Sequence, residues 1–216
     1  MTEAVIQFQC NLRPPGDEAA HAAAARTLGT LLEQARALGI VGRDPGRNPR
    51  YDGLAFGNVS TGTGAEAGFW VSATQTADLA VLEPDMAVRV EAWSIDANRV
   101  DARGRRMPSS ETLSHAAIFE ARGSRPTTVV HGHAPRLWAL ADALELPVTD
   151  PAAANGTIAI ARAVRALAID EAGLIVMGGH RDGVLAYADS GPRAIAAIRD
   201  ALEAAAQHQT LPGSLQ

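Results

Sequence analysis

The apolar residues of the chain recur with two different periods, one typical of helices and the other of strands. Within residues 18–39, the leucines at positions 28, 31 and 32 fall at helical spacing. Gly39 follows them and is typical of the end of a helix. The same spacing predicts four further helices, at residues 109–122, 135–144, 158–170 and 198–207.

Short runs that are rich in β-branched and aromatic residues lie between these helices and predict strands. One of them is TTVVHGH, at residues 127–133. Helices that alternate with short strands favour a single α/β domain, and we assign the whole chain, residues 1–216, to it. The other predicted strands lie at residues 54–60, 68–74, 86–95, 174–179 and 183–188.

Composition and charge narrow the class of protein. The chain has 216 residues, of which 47% are hydrophobic and 20% charged, as in ordinary globular proteins. The formal net charge is −5 and the basic residues are scattered, which argues against a nucleic-acid partner. Cys10 is the only cysteine, which excludes an intramolecular disulfide and a cysteine metal site. Because neither a signal peptide nor a run of ~18 apolar residues occurs, we expect a cytoplasmic protein without a membrane partner.

Two of the six histidines flank one glycine at the end of a predicted strand. In a strand, residues i and i+2 point to the same face, so His131 and His133 can both reach one metal ion. The small Gly132 leaves the opposite face free for close packing. Such a pair is weak support when it stands alone, because two imidazoles in a loop can equally be held by hydrogen bonds.

Two further residues of metal-binding type lie at the ends of predicted elements. His180 follows the strand predicted at 174–179, and Glu111 lies at the start of the helix that precedes the His131 strand. Taken singly, these are an ordinary loop histidine and a carboxylate favoured by the helix dipole. Together, three imidazoles and one carboxylate form the ligand set of a catalytic zinc site, and they also suit Mn²⁺ or Co²⁺.

Five motifs that follow one another along the chain resemble those of a known family. They are GNVS at 57–60, PSSE at 108–111, His115, VVHGH at 129–133 and GGH at 178–180. In this order they resemble the class II aldolase/adducin family, which includes fuculose- and rhamnulose-phosphate aldolases. The resemblance covers about residues 20–207. It implies a single three-layer α/β/α domain with a mostly antiparallel central sheet, and a homotetramer with active sites at subunit interfaces.

The resemblance also implies a reaction and roles for individual residues. The reaction is that of a zinc-dependent lyase, which cleaves or forms a carbon–carbon bond in a small sugar or sugar-phosphate through a metal-bound enediolate. His131, His133 and His180 are implied to hold zinc, and Glu111 to be both a displaceable ligand and the catalytic acid/base. The substrate is expected to be a polyhydroxy carbonyl compound, and the residues expected to bind it are Asn58, Ser109, Ser110 and Thr76. Of these, Asn58, Ser109 and Ser110 match family positions that hold the phosphate of sugar-phosphate substrates.

Two departures from the family pattern leave alternatives open. Where the aldolases carry a Thr-Pro-Ser/Thr-Gly loop that cradles phosphate, residues 74–77 read Thr-Gln-Thr-Ala, and this weakens the expectation of phosphate binding. The aldolases also use a tyrosine beyond the paired histidines. The tyrosines of this chain are Tyr51 and Tyr187, and Tyr187 is expected in the core. An epimerase, dehydratase or decarboxylase that uses the same metal site therefore remains an alternative.

A third alternative is a non-catalytic, adducin-like assembly module. Such a module would be expected to lose the metal ligands, whereas this chain retains all four positions. Among the other histidines, His115 is expected either to orient Glu111 or to pack against the sheet. His21 and His208 have polar neighbours along the chain and are expected at the surface.

Overall fold

The computed structural model describes residues 6–44 and 53–208. Ten strands occur in the described part of the chain, and they are numbered here in chain order. They are β1 (Gln9–Arg13), β2 (Gly42–Arg43), β3 (Ala55–Phe56), β4 (Asn58–Gly62), β5 (Phe69–Ser72), β6 (Ala87–Ser94), β7 (Arg99–Arg103), β8 (Thr127–His133), β9 (Gly173–Val176) and β10 (Gly183–Ala188).

Eight of these strands form one sheet in the order β1-β7-β6-β5-β4-β8-β10-β9, while β2 and β3 form a separate pair. Strands β1 and β7 at one edge of the large sheet run parallel, and every other neighbouring pair in it is antiparallel. The sheet is therefore mixed but mostly antiparallel, as expected. The parallel edge was not predicted, because β1 and β7 carry polar residues at many positions and resemble loops in sequence.

Five helices accompany the sheet in residues 6–44 and 53–208. The expected helix at 109–122 begins three residues late, because Ser109–Glu111 form a turn in which the Thr112 N–H donates to the Ser109 carbonyl at 3.1 Å. The expected helix at 135–144 ends at Ala139, and the last helix begins seven residues earlier than expected. The helices are α1 (Glu18–Ala37), α2 (Thr112–Arg122), α3 (Pro135–Ala139), α4 (Ile158–Leu167) and α5 (Gly191–His208), with a single 3-10 turn at Pro84–Met86.

Successive residues of the central strands point into two hydrophobic cores on opposite faces of the sheet. Val129 and Leu185 pack in the core that contains residues of α2 and α4, whereas Val130 and Val184 pack in the core that contains residues of α1 and α5. The fold is thus an α/β arrangement in which helices flank a large mixed sheet. The finer description as a three-layer α/β/α domain stays a prediction, as does the assignment of residues 1–216 to one domain.

The long first helix shows why the sequence folds as it does at this face of the sheet. Asp17 caps α1, because its carboxylate accepts hydrogen bonds from the backbone N–H groups of Ala19 (2.9 Å) and Ala20 (3.3 Å). Leu28 and Leu32, one turn apart, are fully buried against the sheet. None of the described helices is long and apolar enough to cross a membrane.

Candidate metal centre and active site

Strand β8 presents its two histidines to the face of the sheet that α2 covers. All seven residues of β8 are buried, and His131 and His133 point to the same side as Val129, which packs in the α2 core. The ring centroids of the two histidines lie 5.4 Å apart. The pairing of β4 with β8 sets Asn58 directly opposite His131, so the side chains of these two residues lie on the same face.

Gly132 faces the other side of β8, where the segment that follows α1 crosses the strand. A methyl group at this position would lie 2.6 Å from the carbonyl oxygen of Ile40. That carbonyl accepts a hydrogen bond from the His133 N–H at 2.7 Å. The glycine is therefore required for the close approach of backbone that fixes the end of β8.

His180 comes from the turn between β9 and β10 and lies beside the β8 pair. Its ring centroid is 5.1 Å from that of His131 and 5.0 Å from that of His133. One ring nitrogen from each histidine lies within 4.8 Å of the others, and all three residues are buried. The turn packs tightly against neighbouring backbone. Side chains at Gly178 and Gly179 would collide with the backbone carbonyls of Thr149 and Ala153, so both positions require glycine.

The hydrogen bonding of His131 leaves one of its ring nitrogens available to a metal. Its Nδ1 lies 3.0 Å from the carbonyl oxygen of Val184, which can only accept, so Nδ1 carries the proton. Its Nε2 then presents a lone pair, as metal-binding histidines require. Burial, reinforced by the neighbouring His180, lowers the pKa of His131 to about 3 and keeps the imidazole neutral.

Glu111 lies at the N-terminal end of α2, beside His180. It is 3% exposed, and its Oε1 lies 3.7 Å from His180 Nδ1. Its other oxygen, Oε2, accepts a hydrogen bond from the Ser114 hydroxyl at 2.9 Å. Three buried imidazoles, one with its tautomer fixed, and one carboxylate oxygen are chemically suited to a divalent cation of the Zn²⁺ type.

A cavity opens onto this cluster. Of the residues expected at the site, all except Thr76 line it. His131, His133, His180 and Glu111 line the cavity together with the expected substrate-binding residues Asn58, Ser109 and Ser110. Thr76 is not among the lining residues, because it is 1% exposed and its hydroxyl donates to the Ala73 carbonyl at 2.7 Å. Its neighbours Thr74 and Gln75 line the cavity instead.

Three residues at the site were missed from the sequence. The ring of Phe56 stacks on His133 with centroids 5.2 Å apart, and Asn155 lines the cavity from the loop before α4. Ser114 holds Glu111, as described above. The i, i+3 spacing of Glu111 and Ser114 on a helix could have indicated this pair. Phe56 lies two positions before Asn58 in the strand predicted at 54–60, so strand alternation could have indicated it. Asn155 reaches the cavity through long-range folding, which no local pattern encodes.

The other two buried histidines, His115 and His21, form their contacts away from the cluster. His115 is fully buried, and its Nδ1 lies 2.6 Å from the Ser60 hydroxyl oxygen. Burial lowers the pKa of His115 to about 3. Its ring contacts Ser60, and the Glu111 carboxylate is held by Ser114, which favours the packing role of His115 over the orienting role. The expectation that His21 lies at the surface is wrong: it is 3% exposed, with Nδ1 2.9 Å from the Ala87 carbonyl and the ring edge-on to Trp70.

The tyrosines leave the acid partner of Glu111 unassigned. Tyr187 is 1% exposed and packs in the α2 core, as expected. Tyr51 lies outside the described residues.

Comparison with family models shows which family the chain belongs to. Residues 47–210 match the family model of the Class II Aldolase and Adducin N-terminal domain. The chain belongs to this family. The resemblance inferred from the sequence is thereby confirmed. No curated protein sequence matches the chain.

Solved structures of class II aldolase-like proteins share its fold. L-fuculose 1-phosphate aldolase superposes with a TM-score of 0.65 at 18% identity, covering 93% of this chain and 94% of its own. A sugar-phosphate aldolase from Thermotoga maritima gives 0.61 at 13% identity, covering 89% and 97%. YgbL from Klebsiella pneumoniae, described as a candidate aldolase/epimerase/decarboxylase, gives 0.64 at 16% identity, covering 90% and 92%. At such identities the likeness establishes the fold alone.

Proposed function

We propose that this family member is a zinc-dependent, aldolase-like lyase that cleaves or forms a carbon–carbon bond in a small polyhydroxy carbonyl compound. The observation that carries the proposal is the convergence of three buried imidazoles and the Glu111 carboxylate on one cavity. A cytoplasmic homotetramer is part of the same proposal and rests on the family resemblance.

In this proposal His131, His133 and His180 hold the cation, with Zn²⁺ preferred and Mn²⁺ or Co²⁺ as substitutes. When bound, the cation supplies a Lewis acid that stabilises negative charge developing on a substrate oxygen. The histidines contribute by staying neutral and fixed. For His131 this follows from its burial and from its bond to the Val184 carbonyl.

Glu111 is the residue that moves the proton. Its two oxygens have different surroundings, because Oε2 is held by the Ser114 hydroxyl while Oε1 faces His180. Oε1 is therefore the atom assigned to accept a proton from the substrate and to return it. Burial keeps bulk water away from this carboxylate, which favours transfer to and from a bound substrate.

Asn58, Ser109 and Ser110 are assigned to orient the substrate. All three line the cavity and carry groups that both donate and accept hydrogen bonds. Asn58 pairs with His131 across the sheet and Ser109 forms the turn before α2, so both positions are set by regular backbone structure. Thr76 was expected in this group and is left out, since its hydroxyl is engaged within its own turn.

A second candidate uses the same metal site for epimerisation, dehydration or decarboxylation. It is favoured by one observation: apart from the imidazoles, Glu111 is the only titratable side chain among the described residues that line the cavity. A reaction that needs a single acid/base group would suit such a site. The assembly-module alternative is disfavoured, because it gives no reason to keep three buried histidines together.

Metal analysis followed by a substrate panel tests the proposal. The purified chain, loaded with Zn²⁺, is expected to bind about one ion per chain and to turn over one or more ketoses or ketose phosphates. Products resolved by mass and stereochemistry separate carbon–carbon cleavage from the alternative reactions. A chain that binds no divalent ion at the histidine cluster would overturn the proposal.

A further inference from the structure

Glu111 is the N-cap residue of α2, but its side chain does not cap the helix. N-cap side chains commonly accept a hydrogen bond from the backbone N–H groups of the first turn, and the helix dipole favours a carboxylate there. The carboxylate of Glu111 forms no such bond. Its Oε1 lies instead 3.7 Å from His180 Nδ1, beside the histidine cluster. The start of the helix is therefore a competing position for this carboxylate, and a contact is needed to hold it at the cluster.

Ser114 supplies that contact from the first turn of α2. Its hydroxyl donates to Glu111 Oε2 at 2.9 Å, and the two residues are three positions apart, on one face of the helix. Both are almost fully buried, with exposed fractions of 3% for Glu111 and 2% for Ser114. A buried carboxylate that loses a hydrogen bond is destabilised, so this bond determines where Oε2 lies. With Oε2 held, Oε1 is left facing His180.

The turn of α2 that carries Ser114 is itself anchored at two points. The Thr112 hydroxyl donates to the Ser109 carbonyl at 2.6 Å. His115 Nδ1 lies 2.6 Å from the Ser60 hydroxyl oxygen on β4, and this contact ties the helix to the sheet. Ser114 therefore holds the carboxylate from a fixed position.

We propose that Ser114 is a positioning residue for proton transfer, because its hydroxyl holds Glu111 by Oε2 and keeps Oε1 directed at the histidine cluster. Ser114 does not line the cavity, so it acts through Glu111 and not on the substrate. The three imidazoles assigned to the cation are not altered by this role. The inference rests on the proposed function and names the residue that fixes its acid/base group.

Steady-state kinetics of Ser114→Ala in the Zn²⁺-loaded protein tests this role. The substitution removes the hydroxyl and introduces a residue that favours helix. We expect kcat to fall by about 10–100-fold, because misplacing a catalytic group by about 1 Å can cost a factor of that size. KM should stay within about twofold, with about one Zn²⁺ per chain, since the substrate and metal contacts are kept. Damage to the fold would instead lower the metal content and raise KM.

Two further variants show whether Ser114 acts through Glu111. In the Glu111→Gln background, Ser114→Ala should cause no additional fall in kcat, because the effects of residues that act as one unit are not additive. Ser60→Ala is the matched control, since it removes another buried hydroxyl that contacts α2, at His115. It should lower stability and leave both kcat and KM unchanged.

A crystal structure of the Ser114→Ala variant gives a readout that needs no substrate. Without the hydroxyl, the Glu111 carboxylate is expected to turn away from His180 towards the start of α2. The distance between Glu111 Oε1 and His180 Nδ1 should then exceed the 3.7 Å of the unaltered chain.

The outcomes separate this inference from the proposed function. Wild-type kcat in Ser114→Ala, an unmoved carboxylate, or an equal fall in kcat in the Glu111→Gln background overturns the inference and leaves the proposed function standing. Wild-type turnover in Glu111→Gln, or a chain that neither binds Zn²⁺ nor turns over any member of the substrate panel, overturns both.

Discussion

Two groups of buried histidines lie in this molecule, and they differ in what their ring nitrogens meet. His131, His133 and His180 come from two separate segments, and one nitrogen of each converges on a common point beside a cavity. His115 and His21 are buried as deeply, but a ring nitrogen of each contacts a single oxygen away from the cluster, and neither residue lines the cavity. Burial alone therefore does not distinguish a candidate metal ligand, whereas convergence of ring nitrogens beside a cavity does.

The largest expected contrast is in metal binding. His131→Ala removes the imidazole whose tautomer is fixed by the Val184 carbonyl, so affinity for Zn²⁺ should fall by more than about 100-fold and turnover should be lost. His208→Ala, at the far end of α5, is the matched control and should keep the full metal content. Metal titration followed by elemental analysis measures both. Equal metal content in the two variants would contradict the assignment of His131 as a metal ligand.

The next effect concerns the carboxylate beside the cluster. Glu111→Gln keeps the shape of the side chain but cannot take a proton, so kcat should fall by about 10²–10⁴-fold while the chain stays folded. Glu120→Gln on the same helix removes the charge from a surface ion pair with Arg165, and its side-chain oxygen can still accept the hydrogen bond from Trp93 Nε1, so kcat should be unchanged. Steady-state kinetics with circular dichroism separates the two. Wild-type turnover in Glu111→Gln would remove Glu111 from proton transfer.

A smaller effect is expected at Gly132, where the segment after α1 packs against strand β8. Gly132→Ala sets a methyl group against the Ile40 carbonyl, which should lower the free energy of unfolding by about 1–3 kcal/mol and weaken metal binding. Gly16→Ala, where the added carbon meets its nearest neighbour at 3.9 Å, is the control and should be near neutral. Denaturant unfolding measures the difference. Similar stability in both variants would mean that the close approach at Gly132 is not required.

The smallest expected effect is the pH dependence of stability caused by His115, a member of the second histidine group. Burial lowers the pKa of His115 from 6.5 to about 3. Between these values the unfolded chain binds a proton that the folded chain does not, so this residue makes stability fall as the pH drops below about 6.5. In His115→Leu, measured without metal, the fall should be shallower by up to about 1.4 kcal/mol per pH unit. An unchanged slope would show that His115 is not buried in its neutral form.

The parts of the fold that could be predicted are those encoded in local periodicity. Helix α1 and strand β8 were predicted close to their observed bounds. The helix carries regularly spaced leucines and the strand a compact run of β-branched residues. Strands β1 and β7 did not, because their sequences are largely polar and their pairing brings together residues about 90 positions apart. Such strands are defined by their partners rather than by their own composition.

In the candidate site, too, the residues that were predicted are those that local patterns locate. The four expected metal-site residues meet at one cavity, since each lies at the end of an element that the pattern had located. Their roles as ligands and as the acid/base stay predictions. Thr76 and His21 were misjudged for a common reason: a side-chain bond to a backbone carbonyl and cover from distant residues decide their exposure. The contact of His21 joins residues 66 positions apart, which no local pattern shows, whereas the bond of Thr76 spans only three residues.

Anomalous diffraction at the zinc absorption edge, from crystals grown with Zn²⁺, tests the central claim most directly. The account predicts one ordered ion per chain, about 2.0–2.1 Å from one nitrogen each of His131, His133 and His180, with the Glu111 carboxylate facing it. An ordered ion bound elsewhere, with these three imidazoles left unligated, would contradict the account.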